Sequence, residues 1–494
     1  MLDLRQWLTG EGVHLSDALQ LARRDDGSCA VDCVAPIVAG ETVARIPKHL
    51  VLSPLTSSLA PFVPPEYAAA LAAALVPLRL AVHVAHELLL GERSRWATFF
   101  RYCPPPAKEG ETTTVGAIWD EGGDERRWVK GAEVERELQK AEISKAALHT
   151  FSHTLALPLL HSVSSHFTYT SQPTISTLER ASYLILTRAF HVDHTFHRLS
   201  LVPLACLFNH ETDSAHNVHF ASEQWVCSEC GAEDECEHDN SATPPPLSGR
   251  RKGKEEEETC DMVATRPIAP GEEAFNSYGP ALGNAKLLAQ YGFLLEANEH
   301  DLVSFLPSDL FAVAELGVSA AAEVEIEARW RKLLTEEGEL VEPDHPLLAE
   351  LDEGDDPASS SAAASALHVD ADARLSLALW ALLVVLSCPP SSPAPSPADL
   401  QRLASSLQAL AEAEEVEVDM PQEDVQTLRR IGELVGRLVR RRIAAQAQPE
   451  ASAVELLDLA EKTRPPSVRL AIEYTAGERL LLERVEGNWK DLFP

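Results

Sequence analysis

The spacing of apolar residues changes along the chain and predicts two kinds of structure. Two short runs rich in β-favouring residues lie on either side of an Ala-Gly-Glu turn within residues 27–48, which predicts an opening hairpin. Residues 67–90 are rich in alanine and leucine, a composition that favours helix. Helical character is expected to continue through Trp119 toward Leu186.

Helical spacing dominates the second half of the chain. Apolar residues recur on one helix face in the segments 374–386, 400–413, 422–442, 453–462 and 469–482, with breaks rich in proline and serine between several of them. The most apolar of these segments is too short to span a bilayer, so we expect a buried helix and no membrane association. The pattern predicts an α+β protein whose last part is all-helical.

The middle of the chain contains the candidate chemistry. Asn209 and His210 close an apolar run that predicts a strand. A Pro-Gly-Glu-Glu turn at residues 270–273 leads to Tyr278, which is followed by glycine, and a further block with an asparagine and two aromatic residues spans 284–293. Aromatic residues beside glycine are commonly core residues at strand ends, but the ordered set of motifs favours a functional site.

These motifs, in this order, resemble the active-site half of a SET-domain methyltransferase. Two further segments extend the resemblance to the Rubisco large-subunit methyltransferase-like branch of that family. Residues 185–190, which include Arg188, resemble its arginine-containing helix-to-strand motif, and residues 27–48 resemble its opening hairpin. The resemblance implies an α+β fold: a SET β-sheet core with pseudoknot-like threading, a large helical insertion and an all-helical C-terminal domain.

The resemblance also implies a domain organisation. The SET domain would span residues 1–301, with opening strands at 20–53, a helical insertion at 62–186, a catalytic half at 187–301, and a Cys/Pro/Ser-rich loop at 226–259. Residues 302–494 would form a helical domain like the substrate-binding domain of that branch. The Asn209 segment is expected to thread beneath the Tyr278 segment.

By the same resemblance, the protein is expected to be an S-adenosylmethionine-dependent protein-lysine N-methyltransferase. The implied donor-binding residues are Gly27, Ser28, Cys29, Arg188, Asn209, His210 and Tyr278. Tyr278 would also be the catalytic residue beside the transferring methyl group, while Arg188, Tyr291 and Phe293 would meet the substrate. A lysine nucleophile must arrive neutral although its ordinary pKa is roughly 10.4, which favours a desolvated aromatic channel.

Two departures from the family pattern leave alternatives open. Cys206 stands where relatives have an acidic residue, so a histidine acceptor on the same fold is conceivable. Ser28 and Ala30 replace flexible glycines of the opening strand, which would also suit a catalytically inactive SET-shaped interaction module.

Composition narrows the choice of partner. The chain of 494 residues has a formal net charge of −34, which argues against nucleic-acid binding and favours a lysine-rich or basic protein substrate. Part of the acidic excess lies in the runs 255–258 and 352–356, which are typical of solvated linkers. The N-terminal residues lack a secretory pattern, so we expect the protein in the cytoplasm, the nucleus or both. We also expect a monomer.

The cysteines suggest one further site. Nine is an odd number, and their scatter favours reduced thiols over a disulfide framework. Cys227 and Cys230 form a C-x2-C pair, and Cys236 and His238 follow closely. Four such ligands are compatible with zinc, whereas the alternative is a reduced, solvent-facing acidic insertion. Both stay open, and no metal is assigned to the catalytic residues.

Overall fold

A computed structural model gives the fold of the chain. It describes residues 2–24, 27–103, 112–232, 236, 238, 258–314, 320–335, 345–349, 367–388, 393–412 and 420–493. Most of the predicted loop at 226–259 therefore lies outside the described residues, as does the acidic run at 352–356 and all but the last residue of the run at 255–258.

The described residues form two compact units, each with its own hydrophobic core. The first unit comprises Met1–Asp120, Lys140–Leu282 and Ala289–Gly292, and the second comprises Glu121–Gln139, Gly283–Leu288 and Phe293–Pro494. Because the ranges of the two units alternate along the sequence, no single residue separates them. The predicted end of the SET domain at residue 301 stays a prediction.

Helices account for much of both units. In chain order the α-helices are α1 (Leu2–Gly10), α2 (Pro65–Ala73), α3 (Val76–Leu90), α4 (Ala97–Tyr102), α5 (Asp124–Trp128), α6 (Glu133–Lys140), α7 (Lys145–Phe151), α8 (Leu157–Val163), α9 (Ile175–Arg188), α10 (Asn284–Lys286), α11 (Pro307–Val313), α12 (Ala320–Thr335), α13 (Leu377–Ser387), α14 (Pro397–Glu412), α15 (Gln422–Ala445), α16 (Ala453–Lys462) and α17 (Pro466–Leu492). Single π-helical segments cover Ser152–Ala156 and Leu287–Tyr291.

The strands are short. They are β1 (His14–Leu15), β2 (Leu19–Arg23), β3 (Cys29–Cys33), β4 (Thr42–Pro47), β5 (Ala189–His191), β6 (Leu199–Leu201), β7 (Val218–Ala221), β8 (Thr259–Ala264), β9 (Leu302–Ser304) and β10 (His368–Asp370). One sheet of the first unit has the order β1-β4-β8-β7, with antiparallel neighbours. The pairs β2-β3 and β5-β6 are also antiparallel and lie in the same unit.

The predicted hairpin within residues 27–48 is wrong. β3 pairs backwards with β2, whereas β4 pairs with β1 and with the distant β8. Between β3 and β4 the chain crosses to residue 268, where Ile37 donates its backbone N–H to the Ile268 carbonyl at 3.1 Å. This crossing occupies the residues that a tight turn would need, so the two strands enter different sheets.

The alanine- and leucine-rich segment at 67–90 is helical, as predicted, whereas the bounds 62–186 of a helical insertion stay a prediction. The apolar residues of α3 are buried almost all round, and α3 packs most extensively against α9. The alanine-rich segment is divided into α2 and α3, because the chain is extended at Ala74 and Leu75 and restarts with Pro77 in the first turn of α3. α9 ends at Arg188 and β5 begins at the next residue, which confirms the helix-to-strand motif at Arg188.

The expected threading is present in the first unit. The backbone N–H of Asn276 donates to the Asn209 carbonyl at 2.8 Å, and that of Glu211 donates to the Asn276 carbonyl at 3.1 Å. On the other side, the N–H of Val218 donates to the Phe275 carbonyl at 2.9 Å. Residues 275–276 therefore lie between two segments that precede them in sequence, with parallel bridges to both.

The second unit is mainly helical, as predicted. α13 is apolar and buried on all faces, and Ser376 caps it by accepting the backbone N–H of Leu379. Glu478 of α17 accepts hydrogen bonds from Arg442 of α15 at 2.9 Å and from the backbone of Glu133 at 2.6 Å, so α6 is bound to the C-terminal helices. In the part of the chain that the structure describes, we find no helix with the length and apolar character that a membrane crossing requires.

Candidate active site

Asn209 lies at the point where the opening strands meet the segment before Tyr278. Its Nδ2 donates to the Cys29 carbonyl at 3.0 Å and to Oε1 of Glu273 at 2.7 Å. The same Glu273 carboxylate accepts a hydrogen bond from Arg24 at 2.6 Å, and Arg24 also pairs with Asp32. Both donor hydrogens of the Asn209 amide are thus used inside the protein, and only its oxygen can serve a ligand.

His210 and Tyr278 are in direct contact. The backbone N–H of Tyr278 donates to Nδ1 of His210 at 3.1 Å, and the two rings stack with centroids 5.0 Å apart. Since Nδ1 accepts, a neutral His210 holds its proton on Nε2. The parallel bridge to Asn276 uses the backbone of residues 209 and 211, so the N–H and carbonyl of His210 itself point away from Asn276.

The hydroxyl of Tyr278 points at the turn before Asn209. It donates to the Phe208 carbonyl at 3.3 Å, and the Tyr278 ring lies 5.0 Å from the ring of Tyr291 at an angle of 41°. Burial raises the pKa of Tyr278 to about 12 and that of Tyr291 to about 12. Both phenols are therefore neutral at physiological pH, and each hydroxyl oxygen still has lone pairs to offer.

Gly292 fixes the position of Tyr291. Its φ is +79°, and a Cβ there would lie 2.8 Å from the backbone nitrogen of Val115 and 2.6 Å from Oγ1 of Thr114. Only glycine combines that backbone angle with so close an approach.

Arg188 ends α9 with its guanidinium directed at the turn that contains Cys206. Its Nη1 donates to the Cys206 carbonyl at 2.5 Å. Burial disfavours the charge on Arg188, but the neighbouring Cys206 and Cys103 thiols raise its pKa above the ordinary value. Burial likewise raises the pKa of Cys206, yet the hydrogen bond with Cys103 and the charge of Arg188 outweigh it and lower that pKa. A permanent positive charge therefore sits beside Tyr278.

The apolar run before Asn209 is a turn, so the predicted strand is wrong. Ala205–Leu207 form one turn of 3-10 helix, and the buried Leu204 before it has a φ of 72°. A positive φ at a buried leucine costs on the order of 1–3 kcal/mol and persists only where the surrounding packing imposes it. The turn directs the carbonyls of Cys206 and Phe208 toward Arg188 and Tyr278, which a continuous strand would not do.

The remaining predicted residues have different surroundings. Gly27 adopts a φ of +90° in the turn before β3, and the Ser28 carbonyl accepts the backbone N–H of Arg24 at 2.9 Å. Cys29 begins β3 and contributes its carbonyl to Asn209, as described above. Phe293 is half-buried and belongs to the second unit.

Asn284, the asparagine of the block at 284–293, has a structural role in the second unit. Its amide donates to Asp301 at 2.8 Å and to the Leu295 carbonyl at 2.9 Å, and its oxygen accepts the N–H of Leu295 at 2.7 Å. These bonds hold the turn at residues 284–301 and use most of the amide.

Sequence reasoning missed Glu273. The Pro-Gly-Glu-Glu motif predicts a turn, but its second glutamate is also the acceptor that joins Asn209 and Arg24. An acidic side chain directly before a strand-like segment is the only signal, and it does not distinguish a buried acceptor from a solvent-exposed one. Asn276 was also missed: its side chain is 2% exposed, and its Nδ2 has no hydrogen-bond partner among the described residues.

Comparisons with known proteins identify similar sequences and similar folds. No protein-family model matches the chain. The chain is similar to "Ribosomal lysine N-methyltransferase 3" of Saccharomyces cerevisiae, with 24% identity over 340 residues covering 57% of this chain and 59% of that protein. It is also similar to "N-lysine methyltransferase SETD6" of Rattus norvegicus, with 25% identity over 304 residues covering 58% of this chain and 52% of that protein. The chain thus spans between half and three fifths of these relatives.

Solved structures match over nearly the whole chain. The SET domain of LSMT bound to lysine and AdoHcy superposes with a TM-score of 0.53 at 14% identity, covering 99% of this chain and 90% of that one. The protein has a SET-domain fold. Rubisco LSMT bound to AdoMet gives a TM-score of 0.52 at 13% identity, covering 99% and 91%. The predicted SET fold class, with its helical C-terminal part, is therefore confirmed.

Proposed function

We propose that this SET-domain protein is an S-adenosylmethionine-dependent protein-lysine N-methyltransferase. One observation carries the proposal: the Asn209-His210 segment and Tyr278 come together. The Tyr278 hydroxyl donates to the Phe208 carbonyl, and the Tyr278 backbone N–H donates to Nδ1 of His210. The lysine methyltransferase names of the curated relatives support the choice of acceptor.

The residues fit the proposed donor. The amide oxygen of Asn209 accepts no hydrogen bond among the described residues, and the buried Nε of Arg188 lacks a partner among them. The donor's ammonium group and carboxylate would suit these two atoms respectively, while the backbone of His210 would meet its adenine. The bound donor supplies an electrophilic methyl group on a sulfonium.

Tyr278 would orient the transfer. Because its hydroxyl hydrogen is given to the Phe208 carbonyl, the oxygen lone pairs are fixed in direction and can meet positive charge without reorganisation. The raised pKa of Tyr278 keeps the phenol neutral, so this geometry holds across physiological pH. Tyr291, stacked at an angle against Tyr278, would form the wall along which the amine approaches.

The charge of Arg188 favours a neutral amine. An ammonium group entering beside Arg188 loses hydration and meets a like charge, and both effects lower the pKa of a lysine. Cys206, in place of an acidic residue, adds no full carboxylate that would reverse this. Deprotonation would therefore occur on entry, and the proton would leave to solvent before transfer.

A basic protein is the proposed substrate. The net charge of −34 would attract a lysine-rich partner such as a ribosomal protein and accelerate encounter at low salt. All nine cysteines of the chain fall within the described residues, and none of them is in a disulfide. Reduced cysteines are in keeping with a reducing compartment such as the cytoplasm or nucleus.

The proposal is tested by incubating the purified chain with radiolabelled S-adenosylmethionine and a cell extract that lacks its own copy of the protein. We expect one or a few labelled bands, and amino-acid analysis of the labelled product should give methyl-lysine. Detection of methyl-histidine instead would show that the acceptor is histidine, which is the alternative that Cys206 suggests.

Calorimetry with the donor separates an enzyme from an inactive interaction module. An active protein should bind the donor with measurable heat, and the Tyr278→Phe variant should bind equally while labelling far less. A folded chain that gives no heat and no labelled band would contradict the proposed function.

A further inference from the structure

Four side chains of types that commonly bind metals converge after β7 in the first unit. Cys227, Cys230, Cys236 and His238 place their sulfur and ring nitrogen atoms within 4.8 Å of one another. Cys227 is buried, Cys230 is exposed, and the other two are half-buried. Sγ of Cys236 lies 3.7 Å from Nδ1 of His238.

These separations are close to those of a tetrahedral zinc site. With Zn–S distances of about 2.3 Å and Zn–N distances of about 2.0 Å, ligand atoms around one ion lie roughly 3.5–3.8 Å apart. The cluster therefore needs movements on the order of 1 Å or less to close on an ion. A disulfide between any two of the three cysteines would draw the sulfurs much closer, and none of them is in a disulfide.

The backbone around the first pair has the form of a metal-binding knuckle. The N–H of Glu229 points at Sγ of Cys227 at 3.4 Å, and the N–H of Gly231 donates to the Cys227 carbonyl at 2.8 Å. An N–H directed at the sulfur stabilises a thiolate, the form that binds a metal. Gly231 then reverses the chain with a φ of +79°.

The knuckle rests on a rigid base. A Cβ on Gly231 would lie 2.6 Å from the ring of Phe196, so the turn is packed directly against the segment between β5 and β6. The hydroxyl of Thr195 donates to the Val226 carbonyl at 3.0 Å, and the Trp225 ring lies 4.7 Å from that of His194. Asp193 in turn holds this segment by accepting the N–H groups of Phe196 and His197.

We propose that Cys227, Cys230, Cys236 and His238 bind one structural zinc ion. Three thiolates and one imidazole form a Cys₃His set, which is typical of closed structural zinc sites and leaves no open position for catalysis. Iron–sulfur clusters commonly take four cysteines, so this mixed set favours zinc. The ion would join Cys236 and His238 to the knuckle at Cys227 and Cys230, and this knuckle packs against the segment between β5 and β6.

Metal analysis of the purified full-length protein tests the site. Protein expressed in zinc-supplemented medium should contain about one zinc per chain. Cys230→Ser removes one ligand and should lose the zinc. Since Cys230 is exposed, its replacement should disturb no packing. Cys388→Ser, a half-buried cysteine in the second unit, is the matched control and should keep the full amount.

Cobalt substitution provides a second readout, and its wild-type spectrum does not depend on a variant folding. Wild-type protein reconstituted with Co²⁺ should show intense thiolate-to-cobalt charge transfer and the visible bands of tetrahedral coordination, and His238→Asn should change those bands. Calorimetry of zinc-free Cys230→Ser with the methyl donor should still give heat, so a failed zinc site and a failed active site are distinguishable. Zinc-free wild-type protein without cobalt spectra, or undiminished zinc in Cys230→Ser, would overturn the site and leave a reduced insertion.

Discussion

The backbone N–H of Tyr278 is hydrogen-bonded to Nδ1 of His210 at 3.1 Å, and the rings of the two residues stack on each other. A protonated imidazole has no acceptor at Nδ1, so this contact requires neutral His210. This contact adds a side chain to the backbone bonds that join the Asn209 and Tyr278 segments. The position of the Tyr278 hydroxyl depends on it.

Tyr278→Phe should lower turnover on the order of a hundredfold while leaving donor affinity nearly unchanged. The substitution keeps the ring on His210 and deletes only the oxygen that meets the Phe208 carbonyl at 3.3 Å. Loss of one preorganised polar contact in an active site typically costs about 10²–10³ in kcat. Steady-state labelling kinetics and donor calorimetry measure the two quantities separately.

Tyr67→Phe is the matched control, because Tyr67 is also a half-buried tyrosine of the first unit but lies in α2. Its turnover should equal that of the wild type. A Tyr278→Phe enzyme as fast as the wild type would remove the hydroxyl from the mechanism and direct attention to Tyr291.

Asn209→Ala should weaken donor binding tenfold or more. The change removes the amide oxygen proposed to accept from the donor's ammonium group, and leaving that group unpaired costs about 1–3 kcal/mol. It also removes the bonds that position this amide on the Cys29 carbonyl and Glu273. Asn209→Asp should be worse at neutral pH, since it places a second carboxylate near Glu273, and it should partly recover as pH falls and that repulsion is lost. Unchanged donor affinity in a folded Asn209→Ala protein would exclude this residue from the site.

Stability should depend on Asp193 in acid. Burial opposes ionisation, but hydrogen bonds from His197 and from backbone N–H groups lower the pKa of Asp193 to about 2. The folded state then binds fewer protons than the unfolded state, so the stabilisation, about 2 kcal/mol, is complete above about pH 4. It should be lost as pH falls from about 4 toward 2.

The variant that reveals this dependence is Asp193→Asn. Denaturant melts at neutral pH should show a loss of about 2 kcal/mol relative to wild type, and the gap should narrow as pH falls through that range. Asp124→Asn changes an exposed carboxylate paired with Arg127 and should show almost no loss at any pH. A gap that does not vary with pH would contradict the account of Asp193.

Glu478→Leu should destabilise the second unit by about 3 kcal/mol or more. Glu478 and Glu133 together neutralise Arg442, whose side chain is 10% exposed, and removing one carboxylate leaves that charge poorly paired. Glu473→Ala breaks the more exposed pair with Arg469 on the same helix and should cost less than about 1 kcal/mol. Thermal melts followed by circular dichroism compare the stability of the two variants. Equal losses of stability would show that the ion pairs of Arg442 do not stabilise the second unit.

The sequence predicted the helices well because their signals are local. The α13 segment is apolar on every face, and α16 begins with a Ser452 capping box that includes Glu455, so both can be recognised from neighbouring residues alone. The order of motifs around Asn209 and Tyr278 was likewise sufficient to indicate the fold class, which the solved structures confirm.

Strand pairing could not be predicted in the same way. β4 pairs with β8, where Ile46 lies opposite Cys260, and nothing near either strand specifies a partner so distant in sequence. The turn at Cys206 was mistaken for a strand because its side chains are all apolar, whereas the positive φ of Leu204 is imposed by tertiary packing. Glu273 was missed for the same reason: its partners Asn209 and Arg24 come from other parts of the chain.

The insertion of residues 275–276 between two earlier segments has a kinetic consequence. The Asn209 carbonyl and the Val218 N–H meet their backbone partners only when residues 275–276 are in place, so the candidate site should assemble late in folding. The length of the intervening excursion matters little to this step, because each doubling of a loop adds only about 0.6 kcal/mol of closure entropy. A change in the length of the segment between β7 and β8 should therefore alter the stability of the threaded arrangement at residues 275–276 only slightly, provided that the residues at Cys227–His238 are kept.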